Sequence, residues 1–382
     1  MKSANNSKYG IIFLIVFLDL LGAGIILPLL PFYAEKFTAN AVIITLLVSS
    51  YSLMQFIFAP ILGHLSDQYG RRPILIISQV GSAVGYVLLA FANSIYVLFI
   101  SRIIDGITGG NISTAQAYIS DISTEKDRKK GFGIIGAAFG LGFILGPTIG
   151  GFLGHINIIL PGIFAALAAL TASILVYLKL PEAKRQKKTE KYDMRQMFYV
   201  LRMKKVSTIF LSTLFFGLAV AIMQSIFALY TQKVLGFRER ENGLMFAYIG
   251  IVSVVMQLFI LRKLEKFYKD EKIVKIGLIS SSIGFLIISL LYFEPRILLL
   301  FVGLTLLGFG QGSFNPVIRA ILTKHVDSHG KYLVLLSSYM SLTMIIGPFI
   351  AGSLFEFVNP AMPFLAACLM MMTSFFVFKK FG

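Results

Sequence analysis

Twelve predominantly apolar stretches of about 20 residues dominate the chain, each long enough to cross the hydrocarbon of a bilayer as a helix. They fall at 10–33, 43–65, 73–93, 95–119, 131–154, 157–179, 206–231, 242–262, 273–293, 296–321, 332–356 and 359–379. Hydrocarbon offers the backbone no water to bond, so an unbroken apolar run of this length must satisfy its own peptide groups as a helix. The sequence therefore reads as an all-α membrane protein with twelve transmembrane helices. Composition agrees: 57% of residues are hydrophobic and 14% charged, with a mean hydropathy of +0.81. A water-soluble domain carries about 25% charged residues. The first stretch, after Tyr9, is too long for a signal-peptide core and lacks a small-residue cleavage site, so it reads as a retained span. The single cysteine, Cys368, has no partner for an intrachain disulfide and reads as packing.

Basic residues set the orientation. With a cytoplasmic N-terminus, that side collects Lys2, Lys8, Arg71, Arg72, Lys126 to Lys130, the central loop, Arg262 to Lys275, Arg319 to Lys331, Lys379 and Lys380. Only Lys36, Arg102, Lys233, Arg238, Arg240 and Arg296 fall elsewhere, six of 35. Both termini are thus expected to be cytoplasmic. The net charge of +17 becomes a topology signal rather than a nucleic-acid footprint.

The chain also divides in half. Residues 181–205, rich in Lys, Arg, Glu and Asp, form the one long polar stretch and separate a six-helix bundle at 1–180 from another at 206–382. A surface-lying helix is expected around Met194–Leu201. The halves echo one another. Gly146-Pro147 and Gly150 recur as Gly347-Pro348 and Ala351, 201 residues on, and the run Leu65 to Tyr69 has a weaker counterpart in Leu264 to Tyr268. Thr108-Gly109-Gly110 stands near the register of Gly310-Gln311-Gly312. Two pseudo-symmetric six-helix bundles are the build of transporters that alternate access around a central site.

Ionisable groups inside spans cost several kcal/mol on common scales and default to functional hypotheses. Asp19 lies about nine residues into the first stretch and Asp105 about ten into the fourth, both near the midplane at about 1.5 Å per residue. Arg102 stands one turn before Asp105 on the same helix face. Two readings stay open: a self-satisfied ion pair that stiffens the span, or a proton-carrying carboxylate tuned by its guanidinium. Burial penalises the charged carboxylate and the neighbouring cation favours it. Asp19 is open between an interhelical hydrogen bond and a coupling or substrate role. Polar residues that could line a cavity are Gln55, Asn111, Ser113, Thr114, Gln116, Gln224, Gln257, Gln311 and Asn315, with Gln224 and Asn315 favoured in the second half. Each alone reads equally well as an interhelical hydrogen bond. Plentiful Phe and Tyr, with Met223 and Met256, suit apolar or aromatic compounds.

Three motifs carry a resemblance. Gly63-His-Leu-Ser-Asp67-Gln-Tyr-Gly70-Arg71-Arg72 resembles the signature loop of the major facilitator superfamily between spans 2 and 3. Gly140-Leu-Gly142-Phe-Ile-Leu-Gly146-Pro147-Thr-Ile-Gly150-Gly151 is similar to the span-5 motif of its antiporter branch, and Asp19 to Pro31 to the span-1 motif of its twelve-span drug:proton antiporters. Ala59 to Gly63, Asp105 to Gly109 and Met340 to Pro348 resemble tetracycline/proton antiporters. The likeness covers most of the chain. It implies the major facilitator fold, a latch built from Gly63, Asp67, Gly70, Arg71 and Arg72, a span-5 hinge at Gly142, Gly146, Pro147 and Gly150, and a proton-coupling role for Arg102. Physically, the loop glycines suit a sharp turn and close helix approach. Asp67 could pair with Arg71 or accept backbone N–H groups. Topology anchoring remains the plainer reading of the two arginines, and close packing the plainer reading of span 5. Two positions depart from the tetracycline pattern: Gly85-Tyr86 stands where that family has an intramembrane aspartate before a tyrosine in span 3, and Ser281 where it has another in span 9. Asp105 is an additional acid. Together they imply a proton-driven exporter of different specificity.

No Gly-Lys-Ser/Thr phosphate loop is present, and the histidines at 64, 155, 325 and 329 lie near span ends. His325 and His329 have metal-like spacing but no acidic or thiolate partners. The expectation is a monomeric, multi-pass cell-membrane transporter, not an enzyme. It would need no metal and no cofactor beyond a proton gradient, bind no nucleic acid, and exchange protons for small amphipathic molecules within the lipid bilayer. An uptake symporter for a sugar, organic acid or siderophore is the alternative, and a non-transporting sensor the least supported.

Overall fold

The computed structural model describes residues 2–123, 125–182, 199–326 and 329–381. Most of the central loop, including residues 194–198 of the expected surface helix, lies outside them. Among the described residues, twelve helices are long and apolar enough to cross a membrane. They are Tyr9–Ala34, Ala41–Tyr69, Arg71–Ala90, Ile95–Ile122, Gly131–Ile156, Ile159–Lys179, Lys205–Leu235, Glu239–Phe267, Asp270–Leu290, Ile297–Lys324, Tyr332–Phe357 and Met362–Lys379, numbered here as spans 1 to 12. Their outward faces are aliphatic: Ile77, Val80, Val84 and Val87 form an exposed stripe along span 3 at helical spacing, which suits lipid rather than water.

Three spans are not continuous α-helix. Span 1 passes through a 3-10 turn at Leu27–Leu29, where Pro28 and Pro31 lack the N–H groups that an α-helix would use. Span 8 carries a π-turn at Met256–Ile260. Span 4 is broken at Gly109 and Gly110 into helices Ile95–Thr108 and Asn111–Ile122, a break that hydropathy alone did not reveal.

The chain clusters into two compact units. The first comprises 1–39, 50–192 and 239–247. Its core joins spans 1, 3, 4, 5 and 6 through Tyr9, Ile12, Val16, Leu20, Leu75, Tyr118, Ile135, Ala172 and Val176, all buried. Tyr118 donates to the Pro181 carbonyl at 2.8 Å, and Tyr9 is hydrogen-bonded to Ser123 at 2.7 Å.

The second unit comprises 40–49, 193–238 and 248–382. Phe216 stacks on Phe314, Tyr230 donates to the Ile288 carbonyl at 2.7 Å, and Ser212 meets Ser374 at 2.7 Å. The start of span 2 belongs here. The Ala41 N–H donates to Glu356 Oε2 at 2.8 Å, and Ser49 donates to the Ile345 carbonyl at 2.8 Å. Glu356 therefore caps a helix start, the end at which a carboxylate is favoured.

The repeat is visible inside each unit. In the first, span 5 lies against span 1: a Cβ placed on Gly146 would stand 2.8 Å from Gly24 Cα, and one on Gly150 2.7 Å from the Ile25 carbonyl oxygen. In the second, span 11 lies against span 7: a Cβ on Gly347 would stand 2.6 Å from that of Ala221. Small residues at four-residue spacing are what let two membrane helices approach to backbone contact.

Candidate functional site

Span 4 carries the acid–base pair, and its break is supported from span 2. Gln55 donates through Nε2 to the Gly109 carbonyl and to the Tyr51 hydroxyl oxygen, each at 3.0 Å. One carbonyl freed by the break thus has a partner, as backbone inside a membrane requires. A Cβ on Gly106 would meet the Tyr51 carbonyl at 2.5 Å, so only glycine lets spans 2 and 4 touch there.

Arg102 Nη1 lies 3.1 Å from Asp105 Oδ2, with side chains 6% and 3% exposed. Arg102 Nε also donates to Ser101 Oγ at 3.3 Å, and the guanidinium lies 5.9 Å from the Tyr51 ring and 5.7 Å from the Tyr86 ring. Two aromatic faces add to its stabilisation. Asp105 lies directly against Gly85: a Cβ at position 85 would stand 3.0 Å from the Asp105 Cβ and 3.0 Å from the Ser101 carbonyl oxygen. The two departures from the tetracycline pattern are therefore one event in space. The acid missing from span 3 and the additional acid of span 4 occupy neighbouring positions.

Asp19 reaches the same region from span 1. Its Oδ1 accepts from Asn111 Nδ2 at 2.7 Å and from Gln79 Nε2 at 3.2 Å. Asn111 opens the second helix of span 4, whose N-terminus favours the carboxylate. Four atoms nearby are buried and make no hydrogen bond among the described residues: Arg102 Nη2, Gln79 Oε1, Asn111 Oδ1 and Thr114 Oγ1. Each such group costs about 1–3 kcal/mol when left unsatisfied.

Of the other cavity candidates, Gln116 and Ser113 are exposed on the same helix. In the second unit Gln224 and Gln311 are half-buried, while Gln257 and Asn315 are exposed. Gln79 and Tyr51 were missed from sequence. Gln79 had a signal, being a lone amide within the apolar run Ile74 to Val80.

The signature loop is tighter than its spacing implied. Span 2 runs to Tyr69 and span 3 starts at Arg71, so Gly70 alone makes the turn, with φ of 109°. Gly63 is helical, and a Cβ there would meet nothing. Arg71 binds Asp67 at 2.5 Å, Asp121 at 2.9 Å and Ser66 Oγ at 2.6 Å. The span-3 start is capped not by Asp67 but by Glu182: the Arg71 N–H donates to Oε1 at 2.8 Å and the Arg72 N–H to Oε2 at 3.3 Å. A Cβ on Gly70 would stand 2.7 Å from that carboxylate, so glycine is demanded by conformation and by space. Arg72 donates to the Tyr177 carbonyl and lies over its ring. Asp121 and Glu182 were not foreseen, because a lone acid at a span end carries no pattern.

The span-5 motif packs on span 1 just beyond Asp19. A Cβ on Gly142 would stand 2.8 Å from that of Leu20, and one on Gly24 2.8 Å from the Gly142 carbonyl oxygen. Pro147 sits within the helix. Gly151, next to the motif, meets the first turn of span 8: its Cβ would stand 2.7 Å from the Glu239 carbonyl oxygen. Among the described residues no three His, Cys, Asp or Glu side chains gather as metal ligands.

Known proteins agree with this architecture. The sequence profile of the Major Facilitator Superfamily matches residues 12–293 and 268–381. The class H tetracycline resistance protein of Pasteurella multocida is 33% identical over 365 residues, covering 92% of this chain and 90% of that protein. Multidrug resistance protein 1 of Bacillus subtilis is 29% identical, covering 89% and 88%. Among solved structures, the human organic anion transporter MFSD10 (TETRAN) superposes with a TM-score of 0.75 at 24% identity, covering 98% of this chain and 99% of that one. A bacterial homologue of the human lysosomal transporter Spinster gives 0.79 at 15%, covering 100% and 98%. With twelve spans, two repeat-related packings and a profile matched nearly end to end, the chain belongs to the Major Facilitator Superfamily of membrane transporters.

Proposed function

We propose that the chain is a monomeric proton-driven antiporter of the cell membrane. It exports small amphipathic or drug-like molecules by alternating access, with both termini in the cytoplasm, and transports rather than catalyses. The observation that carries this is the cluster of Asp19, Asp105 and Arg102 in the membrane-spanning part of the first unit. Its charges sum to minus one when all three are ionised. That single uncompensated charge is costly in a bilayer, and one proton removes it. Protonation of Asp105 would weaken its hold on Arg102, giving a two-state element that a proton can bias. The names of the tetracycline and multidrug resistance relatives supply the substrate class and direction.

The test uses purified protein in liposomes loaded with a pH-sensitive dye, an imposed proton gradient, and candidate drugs added singly. Drug-triggered proton movement opposite to the drug is expected, falling at least tenfold in Asp105→Asn. The juxtaposition with Gly85 supplies a sharper arm: Asp105→Gly should be inactive, and Gly85→Asp combined with Asp105→Gly should regain transport. Proton entry together with the compound would replace antiport by symport. Full activity of Asp105→Asn would overturn the coupling role.

A further inference from the structure

Three of the four unsatisfied atoms near Asp19 are oxygens, the fourth being Arg102 Nη2. Gln79 Oε1, Asn111 Oδ1 and Thr114 Oγ1 are all oxygens without a hydrogen-bond partner, on residues 0%, 5% and 1% exposed. Gln79 and Asn111 both direct their NH2 groups to the same Asp19 oxygen. Their carbonyl oxygens, on amides anchored to that one Asp19 atom, accept no hydrogen bond among the described residues. Thr114 follows Asn111 by one helical turn on the same face. Asp19 and these neighbours thus supply one carboxylate and three neutral oxygen ligands, contributed by spans 1, 3 and 4.

We propose that Asp19, Gln79, Asn111 and Thr114 form a binding site for one alkali cation, for which sodium is the fitting probe. All the donors are hard oxygens, with neither thiolate nor imidazole, which disfavours zinc, copper and other transition metals. The local charge of minus one matches a monovalent ion. A divalent ion would leave a buried excess of positive charge beside Arg102, and magnesium holds its waters too tightly for a site of this composition. A water molecule offers two protons for three acceptors and leaves the charge untouched, whereas one cation answers both. The site rests on oxygens and charge, and stands whether or not the chain exports drugs.

The experiment is equilibrium binding of radioactive 22Na+ to purified protein in detergent, in choline chloride, so that no transport is needed. Saturable binding is expected, displaced by unlabelled NaCl and not by choline. Asp19→Asn should abolish it. Thr114→Val and Gln79→Leu should each weaken it roughly tenfold, the loss of about one ligand's worth of free energy. Thr114→Ser keeps the hydroxyl and should bind nearly as the wild type, which separates ligand loss from misfolding. Absence of saturable binding to the wild-type protein would overturn the site, leaving water as its occupant. Undiminished binding in both Thr114→Val and Gln79→Leu would overturn it too, as would displacement of sodium by micromolar magnesium or calcium. Drug–proton exchange measured separately in sodium-free liposomes keeps a failure here distinct from a failure of the antiport reading.

Discussion

Arg102→Leu is expected to destabilise the protein by about 3–5 kcal/mol, the usual cost of removing one partner of a buried ion pair. The carboxylate left behind, on a side chain 3% exposed, would have only neutral partners. Asp105→Leu should cost a similar amount, because it strands a guanidinium between Tyr51 and Tyr86. The double variant should recover most of either loss, since an apolar pair of similar volume replaces both charges together. Thermal unfolding in detergent across the four proteins measures the coupling. The double variant should be stable and inert in drug-driven proton exchange. That combination would show that the pair is retained for transport rather than for folding. Strict additivity of the two single losses would mean that the residues do not act as a pair.

The second large effect is steric. Gly146→Leu should abolish folded protein, because its Cβ alone would stand 2.8 Å from Gly24 Cα and from the Gly24 carbonyl carbon, both backbone atoms that no rotamer change can move. Overpacking costs about 1–3 kcal/mol where neighbours can yield, and here they cannot. Gly136→Ala in the same span is the control. Nothing lies within 4 Å of a Cβ at that position, so the change should be neutral or stabilising by up to about 1 kcal/mol, the helix preference of alanine over glycine. Yield of monodisperse protein after size-exclusion chromatography reads both. A well-folded Gly146→Leu protein would mean that spans 1 and 5 are not in backbone contact.

What the sequence made legible follows from how each feature is encoded. The twelve spans were readable because about 20 apolar residues in a row have one solution in a bilayer. The acid–base pair was readable because Arg102 and Asp105 lie three residues apart, and helix geometry brings such residues together by itself. The partnership of Gly85 with Asp105 was not readable. It spans two helices, and glycine gives no sign of what fills the space it leaves. Glu182 escaped notice for a related reason: a carboxylate in a polar segment looks solvated until the fold carries it to a helix start more than a hundred residues earlier. The break in span 4 was hidden by its own flanks, since Gly109 and Gly110 interrupt the hydrogen bonding without lowering hydropathy enough to divide the stretch. Gly63 erred in the other direction, its place in a motif suggesting a turn that a single residue, Gly70, makes alone.

Spans 2 and 8 each contribute one end to one compact unit and the remainder to the other, changing allegiance at residues 49–50 and 247–248. Cutting the chain in its central loop would therefore not yield two self-sufficient halves. The leading fragment would lack 239–247 and the trailing one 40–49, so reassembly would need a reciprocal exchange of helix ends. In the intact molecule the same arrangement makes two continuous helices the shared property of both units. Span 2 contains Pro60 and span 8 its π-turn, two local departures from regular hydrogen bonding at which a helix bends most readily.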